Sequence, residues 1–127
     1  MEMIMKNVVP IIAVLLLTGC AVSSTIERAE TSRSAFDGAV YSGQKGVTNP
    51  DIAGVAKYRI FDQGSTGFTP VGSVRQSALQ RATSFCSQNG KGIYLNEETT
   101  STPPHILGNW PRAEIVFSCI DSSQTKK

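Results

Sequence analysis

The chain has 127 residues, with 12 Lys and Arg residues against 10 Asp and Glu residues and a net charge of +2. The basic residues are scattered apart from the final Lys126-Lys127 pair, so the charge pattern argues against a nucleic-acid-binding protein. A chain of this length forms one domain with a modest hydrophobic core.

A short apolar run near the start is the most informative stretch. Lys6 precedes the run Val8–Leu17, which leads into Leu17-Thr18-Gly19-Cys20. A positive charge, a short apolar run and small residues before a cut are the layout of a secretory signal peptide. The tetrapeptide resembles the lipobox of bacterial lipoproteins. The resemblance implies that the chain is cut before Cys20, that the Cys20 sulfur is diacylated, and that the new N-terminus is acylated, with palmitate as the expected type of chain.

Two other interpretations of this run fit less well. A transmembrane helix needs about 20 apolar residues, and Val8–Leu17 is about half that length. A buried core helix would have to be apolar on every side and to contain Pro10 in its first turns. Residues 1–19 are therefore predicted to be a lipoprotein signal peptide, with Met1 or Met5 as the start.

The segment that follows, residues 20–35, is rich in Ser, Thr, Glu and Arg and has few large apolar residues. This composition predicts a lipidated Cys20 followed by a flexible tether. Ala21 comes directly after Cys20. In enteric-type lipoproteins an Asp at that position favours retention in the inner membrane, so the resemblance implies sorting to the outer membrane, facing the periplasm.

Two strand candidates precede the clearest helix. Phe36–Ser42 is a weak candidate, with Gly43 and Gly46 breaking the pattern after it. In Ile52–Phe61, apolar and charged side chains alternate better. This alternation is typical of a sheet that turns one face towards water.

The helix signal begins at Thr69-Pro70, where Thr69 can cap the first turn and the proline loses no hydrogen bond. Asn89-Gly90 ends the helix, because both residues tolerate the left-handed conformation of a C-cap. Between these points apolar residues recur at steps of three and four, which indicates one buried helical face: Val71, Val74, Ala78, Ala82 and Phe85.

Two more strands are predicted after the helix, Ile93–Glu98 and Arg112–Asp121, joined by the Pro-rich connection Thr99–Pro111. Residues 122–127 form a polar tail. Residues 36–121 are thus expected to be a small α+β domain, with one helix packed on an antiparallel sheet of three or four strands in the order β-β-α-β-β. One face of the last strand is the more apolar: Ala113, Ile115, Phe117 and Cys119.

With Cys20 assigned to lipid, Cys86 and Cys119 are the remaining cysteines. An exported chain enters an oxidising compartment, where paired cysteines usually become a disulfide. Cys86 ends the apolar stripe of the helix and Cys119 lies on the apolar face of the last strand. A Cys86–Cys119 bridge is therefore predicted, with a reactive Cys86 thiol as the alternative.

Few residues suggest catalysis or metal binding. His105 is the only histidine, and one histidine with two bridged cysteines offers too few ligands for a metal site; we interpret it as a solvated loop residue. A Cys86–His105 nucleophile pair competes with the bridge. Glu97 and Glu98 are adjacent on a strand and so point to opposite faces. We expect no enzyme activity, no cofactor and no metal.

One apolar cluster could bind a partner. Trp110 lies in the Pro-rich connection together with Ile106 and Leu107. Aromatic and aliphatic side chains on an exposed loop can anchor a protein partner. The alternative is that this loop folds down over the open end of the core.

The spacing Ala-x-x-x-Ala-x-x-Phe-Cys-x-x-x-Gly-Lys from Ala78, with a final Ile-x-Phe-x-Cys from Ile115, resembles that of small enterobacterial-type envelope lipoproteins. It covers about half of the mature chain. The expected function is that of a membrane-anchored, non-enzymatic envelope protein that binds a periplasmic protein or another envelope component. The alternatives are an inhibitor of lysozyme or another hydrolase, and an envelope-stress sensor.

Overall fold

The structure, a computed structural model, describes residues 22–121. The predicted signal peptide, Cys20, Ala21 and the predicted tail at residues 122–127 lie outside the described residues. The elements are β1 (Val22–Ser23), β2 (Glu27–Arg28), a 3-10 turn (Ala29–Thr31), β3 (Gly43–Thr48), β4 (Tyr58–Gln63), α1 (Val71–Ser87), β5 (Gly92–Ser101) and β6 (Arg112–Ile120).

All six strands pair antiparallel in one sheet of order β1-β4-β6-β5-β3, and β2 follows β1 along the same edge of β4. The α+β class, the single helix of the described part and the antiparallel sheet are confirmed. The sheet is larger than the three or four strands expected, because β1 and β2 add to it at the N-terminal side. The long strands β6 and β5 lie at its centre, and α1 packs across them and β4.

Helix α1 lies close to the sheet because its buried positions carry small side chains, with Ala78, Ala82 and Cys86 fully buried. The larger side chains of the core come from the sheet, where Ile60 of β4 pairs with Ile115 of β6. The helix begins at Val71 with Pro70 at its N-cap, and no side chain caps it. The predicted Thr69 cap is therefore wrong.

The helix ends as the sequence predicts. Gly90 has a φ of 67°, a left-handed conformation that glycine adopts without steric cost. The Lys91 N–H donates to the Cys86 carbonyl at 3.1 Å and the Gly90 N–H to the Ser87 carbonyl at 3.0 Å. These two bonds form a Schellman motif, which satisfies carbonyls that the last turn leaves open.

An aromatic cluster fills the space between α1 and the sheet. The Tyr58 ring lies 4.9 Å from that of Phe85 and 5.8 Å from that of Phe117. The Tyr58 and Phe85 rings meet edge to face, a geometry that stabilises a core beyond the area the rings bury. Tyr58 and Phe117 are cross-strand partners, so this cluster fixes the register of β4 against β6.

The second face of the sheet is covered at its centre, contrary to the expectation that it turns towards water. In β6 both alternating sets of side chains are buried from Ala113 to Ser118. The segment between β2 and β3 crosses this face, where the Phe36 ring packs edge-on against Phe61 at 6.4 Å and the Ala35 N–H donates to Glu114. The central strand is therefore covered by the helix on one side and by this segment on the other.

The sequence predicts a flexible tether at residues 20–35, but residues 22–35 contain two short strands that belong to the sheet. β1 and β2 pair with β4, and Ile26 packs against the core between them. Two-residue strands leave no alternating pattern in a sequence, because their conformation is set by the neighbouring strand. The folded unit therefore includes Val22 and does not begin at Phe36.

Strand boundaries before the helix are also corrected. Phe36–Ser42 is irregular, and the strand is Gly43–Thr48; of Ile52–Phe61, only the part from Tyr58 is in a strand, and β4 extends to Gln63. Gly43, interpreted as a breaker, is needed within β3, since a Cβ there would lie 2.6 Å from both the Phe36 ring and Thr99. After the helix, β5 runs on to Ser101, beyond the predicted end at Glu98.

Candidate functional site

Three loops meet at one end of the sheet. They are residues 36–42 before β3, residues 64–70 between β4 and α1, and residues 102–111 between β5 and β6. They share this end because Gly43 pairs with Ser101 and Gln63 pairs with Arg112. The described chain also begins there, since Val22 pairs with Gln63.

The loops contact one another. The Tyr41 hydroxyl donates to the Leu107 carbonyl at 2.9 Å, joining the first loop to the third. The second loop passes so close to the third that a Cβ on Gly67 would lie 2.3 Å from the His105 carbonyl oxygen and 2.9 Å from the Trp110 ring. The three loops therefore form one continuous surface.

Arg112 contacts both the first and the third loop. Its guanidinium lies 4.8 Å from the centre of the Phe36 ring, a cation–π contact, and donates to the Asn109 side-chain oxygen at 3.1 Å. Burial lowers the pKa of Arg112, although a guanidinium stays charged in proteins. This half-buried cation links Phe36 in the first loop to Asn109 in the third.

The large apolar side chains that are exposed within residues 22–121 all lie at this end. Phe68 is 97% exposed, Val40 92% and Leu107 85%. A groove of about 360 Å³ runs between the first and third loops. We call the set of exposed side chains the apolar loop surface: Val22, Val40, Tyr41, Phe68, Ile106 and Leu107.

The charge of this end is low. The three loops together contain one carboxylate, Asp37, and one histidine, His105, and no Lys or Arg. The turns at the opposite end of the sheet, between β3 and β4 and between α1 and β5, carry Asp51, Lys57 and Lys91. The two ends of the domain therefore differ in polarity.

The predicted partner-binding residues separate into two groups. Ile106 and Leu107 are exposed on the apolar loop surface, whereas Trp110 is half-buried against Gly67. Trp110 therefore packs against the second loop and is not among the exposed side chains of this surface. The sequence gives no signal that places Phe68 and Val40 on this surface, because they belong to two other loops that lie far from Ile106 and Leu107 along the chain.

The Cys86–Cys119 disulfide is confirmed, with an S–S distance of 2.06 Å and a Cα–Cα distance of 5.1 Å. It joins the last turn of α1 to β6, and Cys86 is fully buried. A sulfur in a disulfide has no free thiol to act as a nucleophile. The hypotheses of a reactive Cys86 thiol and of a Cys86–His105 nucleophile pair are therefore wrong. His105 is not simply solvated, since its Nε2 lies 3.0 Å from the Ser101 hydroxyl.

The remaining buried charges have structural partners. Asp62 binds Arg81 and Glu98 binds Arg75, both on the helix side of the sheet. Glu97 binds Lys45 on the other side, so Glu97 and Glu98 point to opposite faces as predicted. In the part of the chain from 22 to 121, no three or more His, Cys, Asp or Glu residues come together as a metal site.

In the same residues no helix combines the length and apolar character needed to cross a bilayer. Comparison of the chain with protein-family models, with curated proteins and with solved structures finds no match. The candidate site is therefore defined by its own residues and geometry: a largely apolar surface, with Asp37 as its one carboxylate, built from three mutually supported loops.

The packing between the second and third loops gives a prediction about Gly67. A Gly67→Ala variant is expected to lose about 1–3 kcal/mol of unfolding free energy, since the added methyl collides with the His105 carbonyl oxygen and the Trp110 ring and forces one of the two loops to shift. Gly72→Ala is the matched control: its Cβ would meet nothing within 4 Å, and alanine in a helix gains up to about 1 kcal/mol over glycine. Urea unfolding of both variants tests this, and equal stabilities would contradict the described loop packing.

Proposed function

We propose that the chain is an exported lipoprotein, anchored through acyl chains on Cys20, whose folded domain binds an envelope component and catalyses no reaction. The observation that carries the proposal is the buried Cys86–Cys119 bridge, because structural disulfides persist in oxidising compartments outside the cytoplasm. It supports the export that Leu17-Thr18-Gly19-Cys20 suggests from the sequence.

The position of Val22 adds to this. Cys20 is two residues before Val22, and two extended residues span about 7 Å. A lipid on Cys20 would thus be attached close to the folded domain rather than at the end of a long tether. The envelope component nearest to the domain would then be the membrane itself or something at its surface.

The proposed location is the outer membrane, on the periplasmic side. Its support is Ala21, which lacks the acidic side chain that favours inner-membrane retention in enteric-type lipoproteins. Two or three acyl chains, at about 0.8 kcal/mol per buried methylene, are sufficient for stable anchoring.

Metabolic labelling with a palmitate analogue tests the proposal. Wild type is expected to be labelled and to fractionate with outer-membrane markers, and Cys20→Ala is expected to lose the label because the acylated sulfur is gone. The matched control is a Cys86→Ala/Cys119→Ala double variant, which removes the other two cysteines and should keep the label. Equal labelling of wild type and Cys20→Ala would refute the anchor, and recovery with inner-membrane markers would refute the location.

A further inference from the structure

We propose that the apolar loop surface is a membrane-contact site: its side chains enter the headgroup region of the bilayer that holds the Cys20 acyl chains. The domain would then stand on the membrane in one orientation, with the sheet end that carries the three loops facing the lipid. This inference rests on the proposed function, because it takes the anchor at Cys20 as given.

The first argument is where the chain enters the fold. β1 runs from Val22, opposite Gln63, towards Ser23, opposite Asp62. The chain therefore enters the described fold at the loop-bearing end of the sheet. Two residues of chain, about 7 Å when extended, cannot carry Cys20 to the charged end, so the lipid is attached beside the apolar loop surface.

The second argument is the exposure of these side chains. Large exposed patches of apolar side chains mark sites that contact proteins, membranes or ligands. Leu107 is held with a φ of 53° and is followed by Gly108 with a φ of 85°. A left-handed conformation is unfavourable for leucine, and here it occurs at the loop residue that is 85% exposed. The fold therefore presents this side chain to its surroundings at the expense of local backbone energy.

The third argument favours lipid over a protein partner. Loops that enter a region poor in water need their own backbone groups paired, and the third loop has several of its carbonyls paired within the loop surface. The Asn109 side-chain amide donates to the carbonyls of Thr102 and Pro104, both at 2.9 Å. The Leu107 carbonyl accepts from Tyr41, and the Ile106 carbonyl accepts from the Asn109 N–H.

The distribution of charged residues also favours lipid over a protein partner. Asp37 is the only carboxylate in the three loops, and they hold no Lys or Arg. The contact is therefore apolar and does not select anionic lipids. Tyr41 is suited to this depth, because its ring is apolar while its hydroxyl keeps a hydrogen-bond partner. The charged turns at Asp51, Lys57 and Lys91 would face water at the other end.

Tryptophan fluorescence of the lipidated, full-length mature protein in vesicles tests the proposal. Phe68→Trp places a reporter at the most exposed loop position, and Lys91→Trp is the matched control at the opposite end. The fluorescence of Trp110, measured in wild type, is subtracted as the background. In phosphatidylcholine vesicles that contain brominated lipid, the fluorescence added by Phe68→Trp is expected to shift to the blue and to be quenched, at a depth of about 5–10 Å. The fluorescence added by Lys91→Trp should do neither.

The experiment distinguishes a failure of the membrane contact from a failure of the lipid anchor at Cys20. Acylation and vesicle attachment are established first by mass and by flotation. If the Phe68→Trp protein is attached but its added fluorescence is not quenched, the membrane contact is refuted while the anchor stands. Quenching that appears only when phosphatidylglycerol is added would show an electrostatic contact and would also overturn the proposal. A photo-cross-linker at position 107 that yields a discrete protein adduct in cells would identify a protein-docking surface instead.

Discussion

Cys86→Ser and Cys119→Ser are each expected to lower the free energy of unfolding by about 3.7 kcal/mol, the chain-entropy cost of a loop of this size, since the bridge spans 33 residues of sequence. That is a large share of the roughly 5–15 kcal/mol that stabilises a domain. The bond joins α1 to the central strand of the sheet, so losing it frees the helix end from β6. The double variant should be little less stable than either single variant, because all three lack the same bond.

The measurement is urea unfolding of the three variants and wild type, without reductant. Thiol titration of the mature wild-type protein accompanies it. Two reactive thiols at Cys86 and Cys119 would contradict the bridge. Additive losses in the double variant would contradict its role as a single shared constraint.

Glu114→Ala is expected to cost about 3 kcal/mol, at the low end of the range for breaking a buried ion pair. The Glu114 side chain is 5% exposed, and it accepts from Arg59 at 3.1 Å and from the Ala35 N–H at 2.6 Å. Its loss leaves the guanidinium and the backbone donor without this acceptor. Arg59 keeps some contact with water, being 19% exposed, which places the expected cost at the low end.

The matched control is Glu97→Ala. Glu97 pairs across from Val116 and so shares the sheet face of Glu114, but its partner Lys45 is 65% exposed. Exposed pairs contribute less than about 1 kcal/mol. Urea midpoints compare the two variants, and hydrogen exchange should show the segment after β2 opening in Glu114→Ala alone. A cost in Glu97→Ala equal to that in Glu114→Ala would contradict the clamping of this segment.

The helix, the last strand and the bridge could be predicted because each has a local signal. The helix has small apolar residues at steps of four from Val74 to Cys86, and β6 has an apolar residue at every second position from Ala113 to Cys119. Those two patterns bring Cys86 and Cys119 to facing surfaces. The covering of the second face could not be predicted in the same way, since it depends on Glu114 accepting from Ala35, 79 residues earlier.

In the candidate site, too, local signals could be predicted and long-range contacts could not. Ile106 and Leu107 are neighbours in sequence, so their cluster is visible in the Pro-rich connection. Phe68 and Val40 belong to other loops, and only the antiparallel pairing of the strands brings these loops to one end. The short strands at Val22 and Glu27 are set by pairing with β4, and without them the entry point of the chain could not be known.

The most direct test of the central claim, a lipid-anchored exported domain, is the intact mass of the protein purified from membranes without reductant. The predicted mass is that of Cys20–Lys127, increased by a diacylglyceryl group and an N-linked acyl chain and decreased by the two hydrogen atoms lost in forming the Cys86–Cys119 bond. A mass that retains residues 1–19, or one without any acyl addition, would contradict the claim.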